Sequence, residues 1–194
     1  MEEDLVRLKA FTDAVFPLPP KDWEAFSGIW QPFRAGRKEV LTRIGGPEPY
    51  LYFVTEGVQR VYYFDDEGRE ATLVFTYAPS FGGVLDAMML QRPSRYAYET
   101  LTASSFLRAS YRDVAQLMES SITVAAMVRT GLVGALSGLL ERLAEVQCYS
   151  SADKFRKLLE RSPHILQLVP HKYLANYLGI DPSNFSKLLN SIRI

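Results

Sequence analysis

Residues 171 to 190 read His-Lys-Tyr-Leu-Ala-Asn-Tyr-Leu-Gly-Ile-Asp-Pro-Ser-Asn-Phe-Ser-Lys-Leu-Leu-Asn. Ser183, Asn184, Ser186, Lys187 and Asn190 fall together on one side of a helix spanning about 182–192. Donors and acceptors on so narrow a ridge suit the major groove of a DNA duplex, which admits one helix. An asparagine pairs with an adenine edge, and a lysine with a guanine edge or a phosphate, which assigns those roles to Asn184 and Lys187. The helix N-terminus aims backbone N–H groups at phosphates. Lys172 and Tyr173, at the start of the preceding helix, are predicted to reach the DNA backbone.

The residues around that ridge explain how it is held. Leu174 and Leu178 give the first helix an apolar face, and Ala175 is small where two helices cross. Gly179 sits at a sharp turn that calls for positive φ. Ile180 fills the gap between the helices. Asp181 is a good N-cap, and Pro182 occupies the first helical position, where its missing N–H costs nothing. Phe185, Leu188 and Leu189 form the buried side of the second helix. Together these features predict a helix-turn-helix rather than an ordinary helical hairpin.

The chain of 194 residues is 47% hydrophobic and 23% charged, which predicts a globular protein. Its 22 basic and 22 acidic residues cancel overall. From Ser150 onward, however, seven basic residues, Arg193 among them, face three acids, a local charge of +4. One cysteine, Cys148, excludes an internal disulfide and cysteine-built metal sites, and is predicted to be a free structural thiol. Only two histidines are present, His164 and His171, and none lies within residues 1–149. Histidine-rich metal catalysis on a β-roll is thereby excluded, and the reading is a non-enzyme with no cofactor and no metal. Asp65, Asp66 and Glu67 lie in a turn, where solvation is their default role. The acidic, amphipathic start is no signal peptide. No uncharged apolar run reaches membrane-spanning length, so a cytoplasmic protein without a membrane partner is expected.

The elements that carry the ridge follow from changes of period. Leu5, Leu8 and Phe11 predict a helix ended by Pro17, Pro19 and Pro20, and a short helix follows over Asp22–Trp30. Residues 33–110 read as β-structure. Strands are predicted at Tyr50–Thr55, Val58–Phe64, Arg69–Tyr77 and Thr100–Ser110, with a hairpin loop at Asp65–Gly68 and no helix between strands. This predicts a small antiparallel barrel or roll. From Tyr111 the period becomes helical. Met118, Ile122 and Ala125, then Leu132, Leu136, Leu139, Leu143 and Val146 form a heptad seam broken only by Arg129. Such a stripe wants a partner, and a second copy on a two-fold axis is the simplest one. Gly131, Gly134 and Gly138 recur on a side flanked by Thr130 and Ser137 and continued by Glu141 and Glu145, which predicts a solvated side. A last helix before the helix-turn-helix starts at Ser150–Asp153, runs over Lys154–Arg161 and ends at Pro163. The fold class is thus α+β, with a jelly-roll-like sensor unit and N-terminal helices (1–110), a dimerisation helix (111–149) and a helix-turn-helix (150–194).

Several stretches carry a resemblance to Crp/Fnr-family transcription regulators. These are Phe33-Arg-Ala-Gly-Arg-Lys-Glu-Val-Leu, Tyr50-Leu-Tyr-Phe-Val-Thr-Glu-Gly57, Asp66-Glu-Gly68-Arg-Glu, Phe81-Gly82 and the long helix. Val169-Pro-His-Lys-Tyr-Leu-Ala-Asn-Tyr-Leu-Gly-Ile resembles the Bacteroidetes branch. The resemblance implies a cyclic-nucleotide-binding-like roll, a dimer helix and a winged helix-turn-helix. It also implies double-stranded DNA, a second copy, a small effector and RNA polymerase as partners.

The departures from the family pattern are informative. Gly83 stands where cyclic-AMP-binding members carry glutamate, and Pro93-Ser94-Arg95 falls where they carry the Arg-Ser or Arg-Thr that neutralises the cyclic phosphate. Leu139 and Leu140 fall where a polar pair would touch the base. Losing buried ionic contacts removes several kcal/mol of affinity, roughly, so tight cyclic-AMP binding is not expected. An effector pocket would use Gly82, Gly83, Arg92, Ser94 and Arg95. Cysteines for an iron–sulfur cluster and haem ligands are missing from the roll. Pro182-Ser183 replaces the family's Arg-Glu pair, which predicts a different target sequence. Ending at Ile194, the sequence predicts a shortened or missing wing. The leading expectation is a homodimeric DNA-binding regulator. The alternative is a sensor or interaction module whose helix-turn-helix has lost DNA affinity.

Overall fold

The computed structural model describes residues 1–191. Ile192, the predicted last residue of the polar helix, and Arg193 of the basic segment lie outside them. Two helices open the chain, α1 (Glu2–Val15) and α2 (Pro20–Gly28). The second begins two residues earlier than predicted because proline is well placed in a first turn. Leu8 is fully buried, and Leu5 and Phe11 pack into the same cluster against Phe53 and Leu107 of the roll.

Eight strands follow: β1 (Gln31–Ala35), β2 (Val40–Thr42), β3 (Tyr50–Glu56), β4 (Val58–Phe64), β5 (Glu70–Tyr77), β6 (Ser80–Gly82), β7 (Ala97–Thr100) and β8 (Ser104–Ser110). They form two four-stranded sheets, ordered β1-β8-β3-β6 and β2-β7-β4-β5, with antiparallel pairing throughout. The predicted antiparallel roll is therefore present. Tyr52, Val54, Val61, Tyr98 and Phe106 fill the space between the sheets.

Two expectations need correction. The strand predicted over Thr100–Ser110 is two strands in different sheets, because the chain crosses between sheets at Leu101–Ala103. Its turn is stitched to the start of β4, where Leu101 N–H donates to the Val58 carbonyl at 2.7 Å. A short helix, α3 (Leu85–Leu90), also interrupts the strands. Six residues are too few to establish a helical period, so the sequence pattern did not reveal it. Gly57 makes the crossing from β3 to β4, which lie in different sheets, at φ +84°. A Cβ there would lie 2.5 Å from the Ala103 carbonyl oxygen.

The helical segment predicted over 111–149 is likewise two helices, α4 (Tyr111–Ser120) and α5 (Ile122–Cys148). Ser121 adopts extended backbone between them, and its hydroxyl accepts from Val124 N–H at 3.2 Å. A serine that can cap is enough to start a new helix. The apparent heptad therefore jumps a break: Met118 packs in the N-terminal cluster, whereas Ile122 is 87% exposed. Val124 and Met127 bury the start of α5, and Arg142 and Glu145 bury its end. Between them Val133, Leu136, Leu139, Leu140 and Leu143 are each 50–60% exposed. By length and composition alone α5 is apolar enough to cross a membrane.

Glu145 is not on the solvated side predicted for it. It is 2% exposed and takes a two-pronged ion pair from Arg161, at 2.8 Å to each carboxylate oxygen. Arg161 closes α6 (Ser151–Arg161), which is followed by α7 (Ile165–Leu168), α8 (His171–Leu178) and α9 (Pro182–Ser191). Phe155, Leu158, Ile165, Leu174, Leu178 and Phe185 form the core of this C-terminal unit.

Replacing Gly57 by Ala is expected to lower stability by about 1–3 kcal/mol, through positive φ and collision with the β8 turn. Urea unfolding followed by tryptophan fluorescence measures it, with an unchanged midpoint counting against this account of the crossing.

Candidate nucleic-acid interface and effector pocket

The α8–α9 pair is a helix-turn-helix built as the sequence predicts. Leu174 and Leu178 are fully buried, Ala175 is 1% exposed at the crossing, and Phe185 anchors α9. Gly179 turns the chain at φ +62°, and Ile180 is buried between the helices. The Asp181 carboxylate accepts from the Ser183 amide at 2.8 Å and the Asn184 amide at 3.4 Å. Hydrogen bonds from Ser183 hold the Asp181 carboxyl below the usual carboxylate range.

The cap changes what the helix end offers. Its N–H groups at Ser183 and Asn184 serve Asp181, so a phosphate meets a carboxylate rather than an open helix terminus. The Ser183 hydroxyl donates to Asp181 at 2.5 Å, and the Ser186 hydroxyl donates to the Pro182 carbonyl at 3.0 Å. Asn184, Lys187 and Asn190 remain exposed, and none of the three side chains has a hydrogen-bond or ion-pair partner among the described residues. The predicted ridge is therefore exposed, with these three as its side chains without a partner among the described residues.

Of Lys172 and Tyr173, only Tyr173 is placed differently from the expectation. Lys172 is exposed, but Tyr173 is buried against the roll instead of facing solvent. Its ring lies 4.0 Å from the Arg60 guanidinium, which also stacks on Tyr62 at 4.0 Å. Arg60, 3% exposed on β4, pairs with Glu99 of β7 at 2.7 Å and with Glu70 of β5 at 2.7 Å. Lys38 donates to the Tyr173 hydroxyl at 2.5 Å. Burial opposes ionisation of the Tyr173 phenol, but hydrogen bonds from Lys38 and Lys172 outweigh it and hold the group below its usual range. Hydrogen bonds from Arg60 likewise hold the Glu70 carboxyl below its usual range. Asn176 completes the seam. Its side-chain oxygen accepts from the Thr72 amide at 2.5 Å, and its amide donates to the Glu70 carbonyl at 2.7 Å. Sequence reading missed Arg60 and Glu99, although a charge in each of two apolar strands was an available signal.

The predicted effector residues lie at the end of β6 and in the segment that leads into β7. A Cβ at Gly82 would collide with the Tyr98 hydroxyl, which exchanges a hydrogen bond with Thr76 at 2.9 Å. Beside Gly83 lies the buried carboxylate of Glu48, which accepts from Thr42 Oγ1 and from the Val84 amide at 3.1 Å. Burial pushes the Glu48 carboxyl up. Ser94 is buried and spends its hydroxyl on Tyr96, donating to the carbonyl at 2.6 Å. Arg92 is exposed and lies 3.7 Å from Asp86, and Arg95 is exposed. On α5, Leu136, Leu139, Leu143 and Val146 present an exposed stripe, and Leu132 is half-buried. A Cβ on Gly131, Gly134 or Gly138 would meet open space. Cys148 is a free, exposed thiol.

Residues 32–121 match the cyclic nucleotide-binding domain family. Among curated proteins, no sequence matches the chain. Solved structures are similar over most of its length. FixK2 from Bradyrhizobium japonicum superposes with a TM-score of 0.76 at 16% identity, covering 84% of this chain and 83% of that one. A protein described as a transcriptional regulator of the Crp/Fnr family from Eubacterium rectale gives 0.69 at 19% identity, covering 89% and 82%. The catabolite activator protein of Thermus thermophilus gives 0.54 at 19% identity, covering 90% and 83%. Residues 32–121 are thus similar to cyclic nucleotide-binding domains, and the described chain has the fold of the Crp/Fnr regulators it resembles.

Proposed function

We propose that this protein is a cytoplasmic, homodimeric transcription regulator that binds double-stranded DNA through α9. The carrying observation is the exposed row of Asn184, Lys187 and Asn190 on the second helix of a helix-turn-helix. Two such helices, placed about 34–36 Å apart by a two-fold axis, read successive major grooves of a near-palindromic site. The exposed middle of α5 supplies the surface for pairing. Its ends are locked into the folded body by Val124 and Met127 on one side and Arg142 and Glu145 on the other. A second copy therefore fits this stripe better than a bilayer, which would have to strip both ends from the protein. RNA polymerase is the further partner of such a regulator. Any effector held in the roll is small and unidentified. Cyclic AMP is not a tight ligand, because Gly83 and Pro93 stand where the resemblance puts the glutamate and the arginine that hold it.

One observation favours the second reading, a sensor module without specific DNA binding. Asp181 occupies the amides of the α9 terminus, and Tyr173 faces the roll. The two readings part on salt. Counterion release makes DNA affinity fall steeply with ionic strength for a true DNA binder only.

Three outcomes test the regulator reading. Lys187→Ala is expected to weaken specific binding by about 1–3 kcal/mol, read by fluorescence anisotropy on a labelled operator. Leu136→Glu with Leu139→Glu should convert the protein to a monomer in sedimentation equilibrium, while wild type remains dimeric at micromolar concentration. Titration calorimetry with cyclic AMP should give no dissociation constant in the low micromolar range.

A further inference from the structure

Arg108 on β8 is half-buried, and it has no ion pair or side-chain hydrogen bond among the described residues. It follows Phe106 by two residues, so strand alternation turns it to the same face, the inner face of the roll. Its guanidinium lies 4.2 Å from the Phe33 ring on β1 and 4.5 Å from the Tyr50 ring on β3, the strands on either side of β8. Stacking on rings uses the faces of the ion and leaves its in-plane N–H donors over.

Two phenols share this face. Tyr52 stands directly opposite Arg108 in the strand register, and its ring is 6.2 Å from that of Tyr50. Neither hydroxyl has a partner among the described residues, although Tyr52 is only 3% exposed. The Tyr52 oxygen is not sealed, unlike Trp30 Nε1 and Ser80 Oγ, the buried polar atoms that lack both partner and solvent among the described residues. Tyr98, by contrast, spends its hydroxyl on Thr76. Burial pushes the Tyr52 phenol up, so it stays protonated and able to donate. A Cβ at Gly83 would lie 3.6 Å from the Tyr52 ring, so the glycine leaves that side of the ring bare.

We propose that Arg108, Tyr50 and Tyr52 form an anion site inside the roll, which takes the carboxylate of a small organic acid with a flat apolar body. Three donors with nothing to donate to call for an acceptor. The guanidinium fork matches two carboxylate oxygens. The charged groups felt at Tyr52 are one cation, Arg108, and two acids, Glu48 and Glu39. Glu48 turns its oxygens to Thr42, Val84 and the Tyr50 amide. One arriving negative charge is therefore balanced, whereas a doubly charged phosphate is not. Phe33 and Phe106, with centroids 6.0 Å apart, supply apolar wall for the body of the acid. These residues are separate from Gly82, Gly83 and the 92–95 segment to which the family resemblance points. The proposal rests on the effector part of the reading above, not on its DNA-binding part.

Titration calorimetry of the whole chain with benzoate, phenylacetate and 3-phenylpropionate is expected to give a dissociation constant below about 1 mM for at least one of them. Benzamide, which is neutral, and inorganic phosphate should not bind. Arg108→Gln should weaken acid binding by about tenfold or more. Tyr52→Phe keeps the ring and deletes only the hydroxyl, and should weaken it by about threefold even if the Arg108 variant fails to fold. No binding by any of the three acids at millimolar concentration overturns the site. So does acid binding unchanged in folded Arg108→Gln, or in Tyr52→Phe, or benzamide or phosphate binding as tightly as the acids. The titration contains no DNA, so its failure leaves the DNA-binding reading standing, and loss of that reading leaves this site standing.

Discussion

Arg60 is a full charge inside a β-sheet, and that constraint organises the contact between the two halves of the protein. A buried guanidinium is tolerated only where carboxylates and hydrogen-bond acceptors meet it. Glu99 lies directly opposite on β7 in the strand register, Glu70 reaches over from β5, and Thr72 accepts a further bond at 3.1 Å. Tyr62 and Tyr173 cover the planar faces of the ion. Four of these groups belong to the roll and the last to the helix-turn-helix. Neutralising one arginine therefore ties the position of α8 to the geometry of the β4–β5 ribbon. A change in that ribbon's packing bears directly on the first helix of the helix-turn-helix.

The second organising feature is α5, which is fixed at both ends and bare in the middle. Its start is embedded with α1 and α2 through Val124 and Met127. At its far end Arg142 donates to the Tyr177 carbonyl and stacks on the Tyr177 ring, while Glu145 pairs with Arg161. One helix thus touches the N-terminal cluster at one end and the helix-turn-helix at the other. Between those anchors, leucines and valine stay in water in a single chain, an arrangement that favours burial against a matching surface. The glycines at 131, 134 and 138 leave one side of this stretch without side chains. A shift of α5 would reach both the N-terminal cluster and the helix-turn-helix, because one element carries both contacts.

Inside the roll, the buried polar groups of Glu48 and Tyr98 are satisfied from within the chain: Glu48 by Thr42 and Val84, and Tyr98 by Thr76, itself a donor to Gln59 at 2.8 Å. A buried carboxylate with donors from Thr42, Val84 and the Tyr50 amide around it is stable without an external partner.

Local chemistry was enough to reveal the helix-turn-helix, since Ala175, Gly179, Asp181 and Phe185 each answer to a steric or capping demand within a few residues. It was also enough for the antiparallel strands from β3 to β5, whose alternation and turn residues are short-range signals. The break at Ser121 was legible only in part, because a capping serine competes with a heptad that runs across it. What the sequence could not reveal was which polar side chains would spend their bonds inside the molecule. Tyr173 looks available on a linear reading, and Glu145 looks solvated; folding brings Arg60 and Arg161 to them from other elements of the chain. Burial and pairing across such separations depend on how sheets and helices pack. Propensity and capping act between neighbours, which is why the sequence by itself determined the elements and the polar ridge, and only the tertiary structure decided which of its candidate contacts stay free.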